Sequence, residues 1–180
     1  AEVTLHVSAG TFKPVKAERI ADHEMHTEHF IISRDTLLKL AGKNIIAVGT
    51  TSVRTLESLY WLGSSILSGK KNDPGNLEVT QWQPYETDND FPVRQSLAAI
   101  ADLMDKNGLS SLSVNTGIII VPGYRFRLVK GLITNFHQPG STLLLLVAAF
   151  TGNAWKDIYS HALESDYRFL SYGDSMLLLP

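Results

Sequence analysis

The sequence predicts an α/β fold with a mixed sheet flanked by helices. Short β-branched runs alternate with segments of helical apolar period, and glycines or hydroxyl-bearing residues stand at the joints. With 180 residues, 44% apolar and 19% charged, the chain has the make-up of one large or two small folded domains, not of a disordered segment.

Residues 2–7 alternate Val3, Leu5 and Val7 and read as a strand, followed by a Ser8-Ala9-Gly10-Thr11 loop. A short strand over 30–32 precedes a helix over 35–40 that Gly42 can end in the left-handed conformation. Ile45-Ile46-Ala47-Val48 is a short continuous apolar run, which predicts a strand buried on both faces. Thr51 or Ser52 caps the next helix, where Val53, Leu56, Leu59 and Tyr60 recur at helical spacing. Residues 68–92 carry Gly69, Pro74, Gly75, Pro84 and Pro92 and predict a loop-rich excursion with one short strand near 78–82. That length suits a functional loop or lid. A helix over 93–104 ends at Gly108. Strands are predicted over 114–121, 124–129 and 132–135, the first two joined through Pro122-Gly123. Ser141 or Thr142 caps a helix through Phe150 that is apolar on all sides, which places it at the centre of the core. An amphipathic helix over 153–163 and a strand over 176–179 follow.

Sixteen basic against 18 acidic side chains leave a net charge of −2, which excludes a polybasic nucleic-acid coat but not a local basic cleft. The absence of cysteine excludes a disulfide frame, a thiolate nucleophile and a Cys-ligated metal site, and is compatible with the cytosol. The longest apolar run, residues 143–150, falls short of the roughly 20 residues that span a bilayer. The chain opens at Ala1 directly into a predicted strand, so it reads as a piece of something longer.

Three segments carry candidate chemistry. Gly49-Thr50-Thr51-Ser52-Val53-Arg54 joins a strand to a helix, a turn that aims free backbone N–H groups at one spot and suits a phosphate or carboxylate. The helix dipole adds only about 0.3–1 kcal/mol, so the hydroxyls and Arg54 are expected to contribute more. It is neither a Walker loop nor GxGxxG, and a plain capped helix is the simpler alternative. Asp22-His23-Glu24-Met25-His26-Thr27-Glu28-His29 is rich in imidazoles, but the spacing of His23 and His26 misses the HExxH pattern. One of its histidines as general base is the functional alternative to a polar surface run. Thr134-Asn135-Phe136-His137-Gln138-Pro139-Gly140-Ser141-Thr142 follows a strand, at the carboxyl end where open α/β sheets bind ligands. Asn135 and His137 are the candidates there. Further along, Tyr172 and Asp174 flank a glycine turn, and Arg125 and Arg127 share one face of an alternating segment.

Together these segments resemble the S-adenosylmethionine:tRNA ribosyltransferase-isomerase family of queuosine biosynthesis. The resemblance rests on Val3-Thr4-Leu5-His6-Val7-Ser8-Ala9-Gly10-Thr11-Phe12, the histidine-rich run, Ile46-Ala47-Val48-Gly49-Thr50-Thr51-Ser52-Val53-Arg54, Pro122-Gly123-Tyr124, Asn135-Phe136-His137-Gln138-Pro139-Gly140-Ser141-Thr142 and Tyr167-Arg168-Phe169-Leu170-Ser171-Tyr172-Gly173-Asp174, all in the family's order. It implies that residues 1–180 are the C-terminal part of the family's large α/β domain, with the N-terminal half and the inserted β-barrel domain absent. Residues 68–113 are a family-atypical excursion.

The resemblance further implies transfer of the ribosyl part of S-adenosylmethionine to 7-aminomethyl-7-deazaguanine at the tRNA wobble position. Adenine and methionine leave, and the product is epoxyqueuosine-tRNA. S-adenosylmethionine is then a cosubstrate, with no resident cofactor or metal, and tRNA is the partner in the cytoplasm. Carried over residue by residue, Gly49, Thr50, Thr51, Ser52 and Arg54, with Gly10 and Thr11, form the substrate cradle. His137 is the first choice as base and His26 the second, while Asn135 and Tyr172 orient the ligand. The chain alone is expected to be catalytically incomplete. Two rivals stay open: a non-catalytic tRNA- or partner-binding module using Trp82, Tyr85 and Phe91, and a metal-dependent hydrolase using His23, His26 and His29.

Overall fold

The structure, a computed structural model, describes residues 3–6, 19–70 and 73–179. The fold is α/β, with two mixed sheets where the sequence suggests one. The first contains β1 (Thr4–His6), β2 (Glu28–Ser33), β5 (Ser111–Thr116) and β4 (Glu78–Val79), in that order, with only β4–β5 parallel. The second contains β3 (Ile45–Val48), β6 (Val129–Asn135) and β7 (Ser175–Leu178); β3 runs parallel to β6 and β7 antiparallel to it.

Helix α2 (Thr50–Leu67) is the centre of the molecule and packs against strands of both sheets. Every residue from 53 to 65 is buried, so this helix has no solvent face. Helix α3 (Val93–Lys106) covers it, and the approach is close because Gly63 faces Ser96. A Cβ at Gly63 would lie 2.1 Å from the Ser96 carbonyl oxygen, a contact between backbones that no rotamer change relieves. Ser33 caps helix α1 (Arg34–Leu40), its hydroxyl accepting from the Thr36 N–H, and Gly42 stands just past the end at φ 74°. Helix α4 (Thr142–Thr151), capped by Ser141, is not the core helix its composition suggests. Leu144, Leu145, Ala149 and Phe150 are only half-buried, because α4 lies to one side, near α5 (Trp155–Glu164).

Three other expectations change. The segment 124–128 is irregular and β6 begins only at Val129. The fully buried Glu57 carboxylate accepts the backbone N–H groups of Arg127, Leu128 and Val129 at 2.9–3.0 Å, together with the Tyr124 hydroxyl at 2.8 Å. A side chain thus takes the donors that a strand would give to a neighbour. The excursion over 80–92 is tied down: Tyr85 donates its hydroxyl to the Ile119 carbonyl and Gln83 its amide to the Trp61 carbonyl. Lastly, β3 is buried on one face only. Ile46 and Val48 are 51% and 65% exposed and share an outer face with Leu177 and Leu179, which are 57% and 62% exposed. Among the described residues no helix is long and apolar enough to cross a membrane.

Candidate active site

The junction of β3 and α2 builds the site. Gly49 takes φ 85° and ψ 150°, a conformation open to glycine, and its N–H continues the ladder to the Ile133 carbonyl at 2.8 Å. The helix begins at Thr50. No side chain caps it, neither Thr51 nor Ser52, and no acid stands in its first turn. Its first N–H groups therefore keep their full pull on an anion. They open into a cleft of about 390 Å³ lined by Leu5, Gly49, Thr50, Thr51, Ser52, Asn135 and His137, with Gln138, Ser141 and Leu170 among the remaining walls. The structure thus brings together two of the three segments singled out by sequence, because β3 and β6 are neighbours and end on the same side.

His137 is nearly buried, with Nε2 2.9 Å from the Thr134 hydroxyl and its backbone N–H donated to the Tyr159 hydroxyl. Burial lowers its pKa from 6.5 to about 4, so the ring is neutral at pH 7. The pH dependence follows in sign. Between pH 6.5 and 4 the unfolded chain binds the proton that the folded one refuses, so stability is full above 6.5 and falls toward 4, by as much as about 3 kcal/mol. Urea unfolding at pH 7 and pH 5 is expected to show about 2 kcal/mol of this loss in the unmodified chain and most of it removed in His137→Gln.

Arg54 is placed differently from the expectation. It is 3% exposed and does not line the cleft. Its Nη1 lies 2.7 Å from Glu28 Oε2, while Nε and Nη2 donate to the Ile118 and His26 carbonyls at 2.9 and 3.0 Å. A guanidinium in an all-buried helix must find an internal counter-charge, and Glu28, 2% exposed, supplies it. Glu28 Oε1 also accepts the Thr51 hydroxyl at 3.1 Å and sits 3.0 Å from His26 Nε2. Burial pushes the Glu28 carboxyl up, but the His26 hydrogen bond and the Arg54 charge outweigh it and hold it below the usual range. The histidine-rich segment thus reaches the cleft wall through Glu28 and Thr51. Sequence reading passed over Glu28, although a buried arginine calls for such an acid.

Asn135 lines the cleft and donates its amide to the Gly173 carbonyl at 3.2 Å, which ties the end of β6 to the turn before β7. Tyr172 in that turn is 97% exposed and is not part of the cleft wall. Gly10 and Thr11 lie outside the described residues. His29 Nδ1 lies 3.0 Å from the Asn115 side chain and Nε2 3.2 Å from the Ser113 hydroxyl, away from His26, and the described residues contain no group of three or more acids and histidines placed to hold a metal.

A family model described as "Queuosine biosynthesis protein" matches residues 1–178. The chain belongs to that family. It is 41% identical over 184 residues to the S-adenosylmethionine:tRNA ribosyltransferase-isomerase of Herminiimonas arsenicoxydans, covering 99% of this chain and 41% of the relative. It is 42% identical to the enzyme of that name from Treponema denticola, covering 98% of this chain and again 41% of the relative. Among solved structures, the S-adenosylmethionine tRNA ribosyltransferase of Thermotoga maritima matches with a TM-score of 0.57 and 30% identity, over 99% of this chain and 44% of that one. The chain therefore spans about two-fifths of the length of its curated relatives.

Proposed function

We propose that this chain forms part of the catalytic α/β domain of a cytoplasmic tRNA-modifying transferase-isomerase. In this reading the ribosyl part of S-adenosylmethionine moves to 7-aminomethyl-7-deazaguanine at the wobble position, adenine and methionine leave, and the product is epoxyqueuosine-tRNA. The observation that carries the reading is the uncapped α2 N-terminus opening into a cleft with Asn135 and His137, in a chain 41–42% identical to relatives that bear this enzyme's name.

The methionine carboxylate lies on the N–H groups of Thr50, Thr51 and Ser52, which the Gly49 turn leaves open, where a helix start favours an anion without a counter-cation. Asn135 orients the ligand. A base must remove a proton beside the sulfonium, and the two imidazoles differ in fitness for it. His137, with its pKa near 4, is a weak base and serves better as a neutral hydrogen-bonding partner for the departing adenine. His26 stands against the carboxylate of Glu28, which can steady the imidazolium that a base becomes, and it is the preferred base here, which reverses the order of preference drawn from sequence. Arg54 acts through Glu28 and not on substrate. The sulfonium itself supplies the activation, so the mechanism calls on no resident cofactor.

Further polypeptide of the kind its relatives carry completes the enzyme. The exposed apolar face formed by Ile46, Val48, Leu177 and Leu179 supports this, since such a face is ordinarily covered. The test is adenine release from S-adenosylmethionine in the presence of precursor tRNA, by this chain alone and by the chain joined to the remainder found in its relatives. Release by the joined protein only is expected. Release by this chain alone would contradict the need for completion, and no release by either would overturn the activity.

A further inference from the structure

The turn that leads into β7 holds Leu170 at φ 71°, in the left-handed region where a leucine side chain crowds its own backbone. Among the described residues Asp166 is the other non-glycine residue there, and an aspartate tolerates it. The turn is fixed from several sides. The Leu170 N–H donates to the Phe136 carbonyl at 2.9 Å, and the Leu170 carbonyl accepts the Gly173 N–H at 2.9 Å. The Asp174 carboxylate accepts the Arg168 N–H at 2.8 Å and its guanidinium at 3.0 Å. Tyr167 and Phe169 pack on the Phe136 ring. Bracing of this kind lets a strained residue persist, and such strain gathers where ligands are gripped. Core packing does not explain the leucine, which is 46% exposed and lines the cleft. Glycine would fit the turn with less strain. What leucine adds there is an apolar side chain facing the ligand space.

We propose that Leu170 forms the apolar wall on which the adenine ring of S-adenosylmethionine lies. The inference rests on the function proposed above and adds which end of the ligand lies where. Along the strand order β3–β6–β7 the cleft presents three places in turn: the α2 start after β3, Asn135 and His137 after β6, and Leu170 before β7. Neighbouring strands stand about 4.8 Å apart, so the α2 start and Leu170 are separated by about 10 Å across the end of the sheet. Carboxylate and adenine are the two ends of S-adenosylmethionine. A carboxylate on the α2 N–H groups therefore sends the adenine toward β7. There Leu170 covers one face of the ring, a contact that needs no polar partner. His137 follows directly on the carbonyl that anchors Leu170, and stands at the polar edge of the same ring. The sulfonium and the ribosyl carbons then lie between the two ends, over the end of β6.

The experiment is calorimetric titration of the joined protein with S-adenosylmethionine, alone and with adenine or methionine as competitor. It is run on the unmodified protein, Leu170→Gly and Leu170→Asn. Both replacements tolerate the left-handed region and remove the apolar side chain, so one serves if the other fails to fold. The affinity for S-adenosylmethionine is expected to fall at least fivefold in each. Adenine is expected to compete at least fivefold less well, and methionine as well as before. The urea midpoint of Leu170→Gly is expected to stay or rise, because the strain leaves with the side chain. Unchanged affinity for S-adenosylmethionine in a folded variant would overturn the proposal, as would adenine that does not compete in the unmodified protein. An equal loss for adenine and methionine would also overturn it, since neither end of the ligand would then belong to Leu170. A lower urea midpoint with unchanged affinities would show that Leu170 packs against further polypeptide instead. Failure of the proposed function appears otherwise, as an unmodified joined protein that does not bind S-adenosylmethionine at all.

Discussion

Arg54→Ala is expected to destabilise the fold by about 3–5 kcal/mol, because it leaves the Glu28 carboxylate buried without its counter-charge. That is a large part of the roughly 5–15 kcal/mol by which a domain is stable. The same substitution also removes the N–H donors that satisfy the Ile118 and His26 carbonyls. Urea unfolding at pH 7 measures the loss. Replacing both partners, Glu28→Leu with Arg54→Met, is expected to recover most of it, since removing a buried pair together is far cheaper than breaking it. If Arg54→Ala unfolds at the same urea concentration as the unmodified chain, the ion pair does not support the core. A loss of ligand binding in Arg54→Ala would reflect this collapse of support as readily as a lost contact, so substrate contacts are better tested at Asn135.

Glu57→Ala is expected to cost a similar amount, about 3–5 kcal/mol. Three backbone N–H groups and the Tyr124 hydroxyl lose their acceptor inside the core. Tyr124 in turn accepts from the Trp61 indole at 2.8 Å, so the loosening spreads along α2. Burial pushes the Glu57 carboxyl up while those four donors pull it down. Glu57→Gln keeps the shape and an acceptor oxygen, and is expected to recover part of the stability. Hydrogen exchange at Arg127, Leu128 and Val129 follows the effect locally, with exchange much faster in Glu57→Ala. Unchanged protection at those amides would show that water or another side chain replaces the carboxylate.

The two charges that matter most to stability were the least legible in the sequence. Arg54 and Glu57 are the only Asp, Glu, Lys or Arg residues in α2, and every residue from 53 to 65 is buried. Helical period places Val53, Leu56, Leu59 and Tyr60 on one face but does not reveal that the opposite face is covered as well. Arg54 therefore reads as a surface cation available to a ligand. Its partner Glu28 comes from a distant strand, and no local pattern joins them. The open turn at Gly49 was readable, because a strand, a glycine and a run of hydroxyl residues in sequence have few other uses. The capping role given to Thr51 or Ser52 was not borne out, since Gly49 itself occupies the cap position and Thr51 turns to Glu28.

Elsewhere local pattern gave way to tertiary context. Ile45-Ile46-Ala47-Val48 has the composition of a strand covered on both sides, yet Ile46 and Val48 face outward. Composition reports what a face prefers, not whether a partner lies upon it. Tyr124-Arg125-Phe126-Arg127 alternates as a strand would. Both arginines do reach the same acid, Asp90, but the backbone that carries them is irregular. Arg127 also lies over the Tyr60 ring, 4.8 Å from its centre, which suits a guanidinium with little access to water.

The central claim is that the cleft at the ends of β3 and β6 holds S-adenosylmethionine. The measurement that tests it most directly is a calorimetric titration of the joined protein with S-adenosylmethionine, run beside Asn135→Ala, with circular dichroism to establish that both are folded. The account predicts saturable binding that Asn135→Ala weakens at least tenfold. Equal affinity in the two folded proteins would place the cosubstrate elsewhere and contradict the site.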